Sequence, residues 1–314
     1  MHDPLHVAIA LIQNQSSDIL IQQRPETVHM AGLWEFPGGK VELHESPKMA
    51  LRRELREELG IELIAARFFF NFDYQYPELL IRFHVFAVER YDRIPTSHEG
   101  QLLRWQAVAD LSLATMPPAN QTILQALCLE TRYMIADHDL LADRLEQQLE
   151  VQLANGIRLV QLRAQALSKQ HYFDLLASVR QLAALKQARV ILNCPLDWLE
   201  PEQWPQLHLS TKQLRLAYAR YKAGERHHFF SASVHNDEEL MMANTLSLDC
   251  VLLAPVLKTP THSEREPLAW AGFQYLLNKS NCPAFALGGM TDDQLIVAQA
   301  HGGHGIAGIR LFAD

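Results

Sequence analysis

The chain has 314 residues, of which 48% are hydrophobic and 20% charged, an ordinary globular composition with enough apolar material for two cores. Its formal net charge of −8 argues against the basic surface of a protein that binds duplex nucleic acid. No apolar run is long enough to cross a bilayer, the first residues do not resemble a signal peptide, and the four cysteines form no CxxC pair. We therefore expect a cytoplasmic protein without a membrane segment, a disulfide framework or a zinc site.

Residues 1–131 are predicted to form a domain in which strands and helices mix. Apolar runs at 5–11 and 19–21 flank a polar turn, which predicts a β-hairpin, and an irregular aromatic segment follows at 32–39. Strands are then predicted at 68–72, 81–88 and 102–108, and helices at 47–59 and 120–129. Pro47 begins the first helix and Gly60 follows it directly, where a left-handed cap would end it.

Residues 132–314 are predicted to form a second domain in which strands and helices alternate regularly, with the junction at 130–132. Eight short apolar strands are predicted, at 133–136, 158–162, 190–193, 206–209, 229–234, 250–255, 284–287 and 305–311. Amphipathic helices separate most of them, including 140–154, 169–185, 237–246 and 292–300. This pattern is typical of a compact (β/α)8 TIM barrel.

Three carboxylates mark one face of the helix at 47–59. Glu54, Glu57 and Glu58 stand at positions i, i+3 and i+4, where like charges repel unless a cation collects them. Mg²⁺ takes such oxygen ligands and completes its coordination shell with substrate phosphates; Mn²⁺ is the alternative ion. Taken alone, such a helix is more typical of a solvated surface with salt bridges.

The spacing around this helix favours the metal site. Residues 39–61 fulfil every fixed position of the Nudix signature, from Gly39 and Glu45 through Arg53-Glu54-Leu55 and Glu57-Glu58 to Gly60-Ile61. So many matches at set distances rarely coincide. The chain therefore resembles the Nudix hydrolases, which cleave diphosphate anhydrides.

The resemblance extends over residues 5–128 and is closest to the bacterial MutT subfamily, through segments at 29–31, 35–40, 76–77, 88–90, 98–101 and 117–120. It implies an α/β/α sandwich with a mixed sheet, and hydrolysis of the nucleoside triphosphate 8-oxo-dGTP to 8-oxo-dGMP and pyrophosphate, which keeps oxidised guanine out of DNA. The implied metal shell is the Gly38 backbone oxygen with Glu54, Glu57, Glu58 and Glu99. The implied substrate residues are Arg24 and Lys40 near the phosphates, Asn120 at the oxidised purine edge, and Phe36 and Leu79 in the base pocket.

Several alternatives remain open at this point. The general base is either Glu54 or Glu99, since either carboxylate serves if it reaches the attacking water. Asn120 could instead be the N-cap of the last helix, and Phe36 an ordinary core residue. The substrate could be another nucleotide or a thiamine-related diphosphate. The sequence does not predict the oligomeric state.

The second domain resembles thiamine-phosphate synthases and TenI-like barrels, through segments at 160–163, 190–193, 207–209, 231–235, 254–261 and 286–290. This implies a phosphate-bearing ligand at the backbone of Gly288, Gly289 and Gly308. The synthase acids that hold Mg²⁺ are replaced, by Cys194 and by Lys212-Gln213, and the lysine expected after Thr-Pro-Thr is His262. We therefore expect no synthase activity.

Three roles remain open for the barrel. It could be a sensor of phosphate-bearing ligands, a scaffold, or a TenI-like enzyme that uses Cys194 as its nucleophile. His208 and His235 lie at predicted strand ends and could face the same mouth. Cys194 could equally be a small buried hydrophobic residue.

Overall fold

The structure is a computed structural model, described for residues 3–27, 29–199, 206–220, 229–259 and 266–312. The chain divides into two compact units, Met1–Leu129 and Glu130–Asp314. No helix in the described ranges is long and apolar enough to cross a membrane. His262 lies outside the described residues.

The N-terminal unit has two sheets and two α-helices in its described part. In chain order its elements are β1 Leu5–Ile12, β2 Ile19–Gln23, β3 Trp34–Glu35, β4 Gly38–Lys40, α1 Pro47–Leu59, β5 Leu63–Gln75, β6 Leu80–Tyr91, β7 Leu103–Gln106 and α2 Pro118–Leu127. The larger sheet has the order β4-β1-β6-β5 and is mixed, because β1 and β6 run parallel while the other pairs are antiparallel. The smaller, antiparallel sheet has the order β3-β2-β7.

The larger sheet is covered by a helix on each face, as the alternation of side chains along β1 shows. Ala8 and Ala10 pack with Leu51 of α1 in one cluster, while Ile9 packs with Ile123 of α2 in the other. Successive side chains of a strand point to opposite faces, so this one strand serves both cores. The predicted α/β/α sandwich with a mixed sheet is confirmed.

The predicted β-hairpin at 5–21 is wrong. Asn14 closes the turn by accepting hydrogen bonds from the amides of Ser16 and Asp18, each 2.9 Å. Beyond it, Gln13 and Ile19 form only an isolated bridge, and β2 joins the other sheet. The physical reason is that β6 pairs along the whole of β1 on one edge and β4 pairs with residues 7–9 on the other, which leaves only the end of β1 open to β2. The segment at 32–39, predicted to be irregular, contains β3 and the start of β4.

Both predicted helices of this unit form, with one correction. In α1, Ser46 caps the N-terminus by accepting from the Met49 amide at 3.3 Å, and Gly60 ends the helix at φ 66°. The second helix begins earlier than predicted, with Pro117 at its N-cap. Asn120 therefore lies inside the first turn and is not the N-cap.

The C-terminal unit is a closed barrel of parallel strands in the order β8 to β15, which confirms the predicted TIM barrel. The strands are β8 Arg132–Asp137, β9 Leu159–Arg163, β10 Arg189–Asn193, β11 Leu207–Leu209, β12 Phe230–Val234, β13 Cys250–Leu253, β14 Ala284–Leu287 and β15 Gly305–Gly308. The described helices are α3 His138–Leu141, α4 Leu145–Ala154, α5 Lys169–Ala184, α6 Thr211–Arg220, α7 Asp237–Thr245, α8 Ala269–Leu277 and α9 Gln294–Ala300. The single helix predicted at 140–154 is interrupted at Ala142, where φ is 46°. This positive φ, unusual for a residue with a side chain, breaks the helical path.

Candidate active site

Two glycines bring β4 close to the carboxylates of α1. Gly38 has φ 144°, and a side chain there would collide with the backbone of Ala8 on β1. A side chain at Gly39 would collide with the Glu54 carboxyl group. Only glycine permits both approaches. The turn before the helix therefore lies directly against the acidic face of α1.

Arg53 forms hydrogen bonds with several oxygen acceptors at this acidic face. Its guanidinium donates to both carboxylate oxygens of Glu45, at 3.2 and 3.1 Å, and to the Lys40 carbonyl oxygen at 2.9 Å. The remaining nitrogen bridges Glu54 at 2.8 Å and Glu57 at 3.1 Å. These hydrogen bonds, led by those to Glu45, raise the pKa of Arg53 above its usual value. This role of Arg53 was not predicted from sequence beyond a salt bridge, although its fixed place in the Nudix signature was a signal for it.

Glu58 is bound by two neutral hydrogen-bond donors. It is 9% exposed, and its two carboxylate oxygens accept from the Gln22 side-chain amide at 3.0 Å and from the Gly38 amide at 3.2 Å. Burial raises the pKa of Glu58 to about 8, against the opposing effect of these two donors. Gln22 was not predicted as a partner of Glu58, because it lies 36 positions away in the chain, on β2.

The pKa of the third carboxylate, Glu54, depends on the neighbouring acidic side chains. Burial raises the pKa of Glu54, and the negative charges of Glu57 and Glu99 add to the effect, while Arg53 opposes it. Glu99 is exposed and accepts a hydrogen bond from the Gln101 side chain at 3.2 Å. The acidic groups named from sequence therefore share one electrostatic environment, which a bound cation would stabilise.

The loop that carries Glu99 is fastened to the end of α1. The Thr96 amide donates to the Leu59 carbonyl oxygen at 3.0 Å, and the His98 amide donates to the Glu58 carbonyl oxygen at 2.9 Å. The His98 ring packs so closely on Gly60 that a side chain at this glycine would collide with it. Backbone bonding to the helix end thus brings a carboxylate from a distant loop to the acidic face.

The donor set fits a hard divalent ion, but it is not gathered into a finished cage. Within the described ranges, no three His, Cys, Asp or Glu side chains converge as a metal cluster. The Arg53 bridge holds Glu54 and Glu57, and Glu57 is half exposed. Carboxylate and carbonyl oxygens are the ligands that Mg²⁺ and Mn²⁺ prefer.

Among the described residues, the side chains named for phosphate contact, Arg24 and Lys40, form no hydrogen bond with these carboxylates. The Arg24 side chain pairs with Glu35 and donates to the His29 carbonyl oxygen at 2.9 Å. Burial raises the pKa of Glu35 despite this ion pair. The Lys40 side chain is exposed beside the acidic helix. Arg24 thus needs to exchange or share its partner before it contacts a phosphate.

The residues named for the base pocket differ in burial. Phe36 is fully buried in the core cluster between the sheet and α2, whereas Leu79 is 42% exposed. Asn120 is 4% exposed in the first turn of α2. The preceding residue, Ala119, is bonded through its backbone to the Tyr76 hydroxyl group, whose pKa burial raises. Tyr76 therefore fixes the start of the helix that presents Asn120.

The barrel has a cavity of about 550 Å³ at the carboxyl ends of its strands. Its walls include the three glycines named from sequence, of which Gly288 and Gly289 have φ 100° and 70°. Side chains at these two positions would collide with Pro255 and Leu257. Gln161 also lines the cavity, and its buried side-chain oxygen has no hydrogen-bond partner among the described residues. The cavity thus has three glycines in its wall and one open side-chain acceptor.

Comparison with known proteins agrees with this geometry. Residues 8–126 match the model of the NUDIX domain, and residues 132–312 match that of thiamine monophosphate synthase. The 8-oxo-dGTP diphosphatase of Escherichia coli K12 is 37% identical over 39% of this chain and 95% of its own length. The chain belongs to both families.

Two further relatives bear on the two units separately. The CTP pyrophosphohydrolase of Escherichia coli K12 is 37% identical to the Nudix unit, over 38% of this chain and 87% of that protein. A putative thiamine-phosphate synthase 2 of Aquifex aeolicus is 28% identical over 58% of this chain and 97% of that protein. The chain is a hydrolase acting on phosphorus anhydrides, and Nudix hydrolases generally need divalent metal ions.

The structure does not support Cys194 as a nucleophile of the synthase-type barrel. It is 4% exposed, and burial raises the pKa of its thiol to about 12, so it keeps its proton at neutral pH. Among the described residues, Cys194 is not part of the cavity wall. The side chain of Gln213 donates to the Cys194 carbonyl oxygen and accepts from the Ser210 amide at 2.8 Å. The two positions that replace the synthase acids are therefore joined by a neutral amide.

Both histidines named from sequence do line the cavity. The two ring nitrogens of His208 bond to the hydroxyls of Ser231 and Ser233, at 3.0 and 2.9 Å. Burial lowers the pKa of His208 to about 3. His235 is bonded through its ring to Glu239 at 2.8 Å. Neither ring is free of protein partners.

Proposed function

We propose that the Nudix unit hydrolyses 8-oxo-dGTP to 8-oxo-dGMP and pyrophosphate. The observation that carries this proposal is the acidic face of α1, organised by Arg53 within a complete Nudix signature. The relatives named 8-oxo-dGTP diphosphatase, which align over nearly their whole length, support the choice of substrate. Removal of the oxidised nucleotide would protect the fidelity of DNA replication.

We propose Mg²⁺ as the ion, with Mn²⁺ as a working substitute, held by Glu54, Glu57, Glu58, Glu99 and the Gly38 carbonyl oxygen. When bound, the ion neutralises charge on the phosphate oxygens and orients water. The side chains supply the hard oxygen ligands, and Arg53 keeps two of them aligned before the substrate arrives. Either Glu54 or Glu99 accepts the proton of the attacking water.

Substrate recognition is assigned to residues at the start of α2 and near β3. We propose that the Asn120 amide bonds the oxidised purine edge, because one amide offers both the donor for a carbonyl oxygen and the acceptor for the N7–H group. Its burial makes this pairing more selective, since a buried amide that loses its partner is costly. Arg24 and Lys40 would contact the phosphates and Leu79 the base, while the buried Phe36 would support the base pocket from the core.

The test is steady-state hydrolysis by the full chain with 8-oxo-dGTP, dGTP and CTP at matched Mg²⁺, with product analysis. We expect pyrophosphate and the monophosphate, with the highest kcat/KM for 8-oxo-dGTP. The CTP substrate is included because the CTP pyrophosphohydrolase is equally identical to this unit. A higher kcat/KM for CTP, or for a thiamine-related diphosphate added to the panel, would transfer the assignment to that substrate.

For the barrel, we propose a sensor site for a small phosphate-bearing ligand. Gly288, Gly289 and Gly308 are suited to present backbone amides to a phosphate, and Gln161 accepts a hydrogen bond from the rest of the ligand. Calorimetry with thiamine monophosphate and with inorganic phosphate tests the proposal. Heat that disappears in a Gly288→Val variant supports it, and the absence of heat with both probes would favour a scaffold.

A further inference from the structure

The carboxylates of α1 are held in two different ways. Glu54 and Glu57 are bound by the positively charged Arg53, whereas the donors to Glu58 in the described part of the chain are neutral, the Gln22 side chain and the Gly38 amide. A neutral donor orients a carboxylate without cancelling its charge. Among the described residues, therefore, no positively charged side chain competes with a cation for Glu58, and Gln22 is the side chain that fixes its orientation.

Gln22 is itself rigidly placed. It is 2% exposed and lies in the middle strand of the smaller sheet, where its backbone pairs with Leu103 on one side and Glu35 on the other. The amide nitrogen of Gln22 is the atom that faces Glu58, to which it donates at 3.0 Å. The amide oxygen then faces elsewhere, and it is buried with no partner in the described part of the chain.

We propose that Gln22 is a positioning residue of the metal site, an inference that rests on the proposed function. Its amide nitrogen holds Glu58 in the orientation that binds the ion. Its amide oxygen accepts a hydrogen bond from a water of the ion's shell. A buried acceptor without a partner is costly, and Mg²⁺ usually keeps several waters when it binds to protein.

This assignment explains why an amide stands here rather than a charged group. An arginine at position 22 would compete with the cation for Glu58, and an apolar residue would leave a buried carboxylate with one donor fewer. Partners of this kind, which orient a ligand without touching the metal, typically change metal affinity by about 10- to 100-fold when removed. The expected effect is therefore on ion binding itself, before any turnover.

The experiment measures Mn²⁺ binding to the full chain without nucleotide, from the electron paramagnetic resonance signal of the free ion. Gln22→Met keeps the length of the side chain and removes the amide, and Gln22→Asn keeps the amide and shortens its reach. We expect both variants to raise the Kd for Mn²⁺ by about 10- to 100-fold. Gln23→Met is the matched control, because Gln23 bonds the Gly32 carbonyl oxygen instead, and its Kd should equal that of the wild type.

A double-mutant cycle with Glu58→Gln separates positioning from general support of the fold. If Gln22 acts mainly through Glu58, adding Gln22→Met to Glu58→Gln should raise the Kd by a clearly smaller factor than Gln22→Met does in the wild type. A wild-type Kd in both Gln22 variants, or full additivity in the cycle, would overturn this proposal alone. A wild-type Kd in Glu58→Gln would overturn the metal ligand set of the proposed function, and this inference with it.

Discussion

The guanidinium of Arg53 donates two hydrogen bonds, of 3.2 and 3.1 Å, to the carboxylate of Glu45. These bonds connect the loop before α1 to the middle of that helix. A planar fork meeting a carboxylate fixes direction as well as distance. The rest of the same guanidinium reaches Glu54 and Glu57. One side chain thereby sets the relative positions of the loop and two proposed metal ligands.

Replacing the Arg53 guanidinium with a single ammonium group should lower the activity strongly without unfolding the protein. We predict that Arg53→Lys lowers kcat/KM by about 100-fold, because a lysine cannot hold three carboxylates at once and a displacement near 1 Å has an effect of that size. Arg56→Lys is the control, since Arg56 pairs with Glu62 on the exposed side of α1. Equal kinetics for the two variants would remove Arg53 from the account.

Divalent ions should stabilise the fold as well as support turnover. The carboxylates around Glu54 repel one another, as the raised pKa of Glu54 reflects together with its burial, so a bound cation relieves an unfavourable interaction. We predict that EDTA abolishes activity and lowers Tm, and that Mg²⁺ restores both. In Glu57→Gln the Tm should respond less to Mg²⁺. An unchanged Mg²⁺ response in this variant would contradict the assignment of Glu57.

The buried amide at the start of α2 should govern selectivity rather than overall rate. Asn120→Ala is predicted to lower kcat/KM for 8-oxo-dGTP by about 10-fold or more relative to dGTP, the effect of one or two lost hydrogen bonds. Gln125→Ala, on the exposed side of the same helix, is the control and should leave the ratio unchanged. A parallel loss with both nucleotides would assign Asn120 to the structure of the helix instead.

The buried His208 makes the barrel sensitive to acid. Burial lowers its pKa to about 3, whereas an unfolded chain titrates near the ordinary value of about 6.5. Between these values the unfolded state binds more protons, so this contribution to stability is complete above about pH 6.5 and declines as the pH falls toward 3.

Thermal unfolding of the wild type and of His208→Asn across pH 7 to 4 measures this effect. The wild type should lose more of its Tm than the variant over that range, although the variant starts lower because it loses contacts to Ser231 and Ser233. Parallel Tm curves would show that His208 does not carry the acid sensitivity.

The elements that local signals define were predictable from sequence. Pro47 marks the start of α1 and Gly60 its left-handed cap, as their residue types predict. The alternation of apolar strands with helices predicted the barrel. What local patterns could not predict were pairings decided by distant residues. The partner of β2 depends on which strands already occupy β1, and the partners of Glu58 and Arg24 depend on how separate strands meet. The role of Cys194 could not be predicted either, because the pKa of its thiol depends on burial, which the sequence does not show.

The most direct test of the central claim is the ratio of kcat/KM for 8-oxo-dGTP to that for dGTP, measured with the full chain at one Mg²⁺ concentration. The proposed recognition by Asn120 predicts a ratio well above 10. The reason is that the oxidised base adds an N7–H donor, from which the buried amide oxygen of Asn120 can accept a hydrogen bond. A ratio near one would contradict the account.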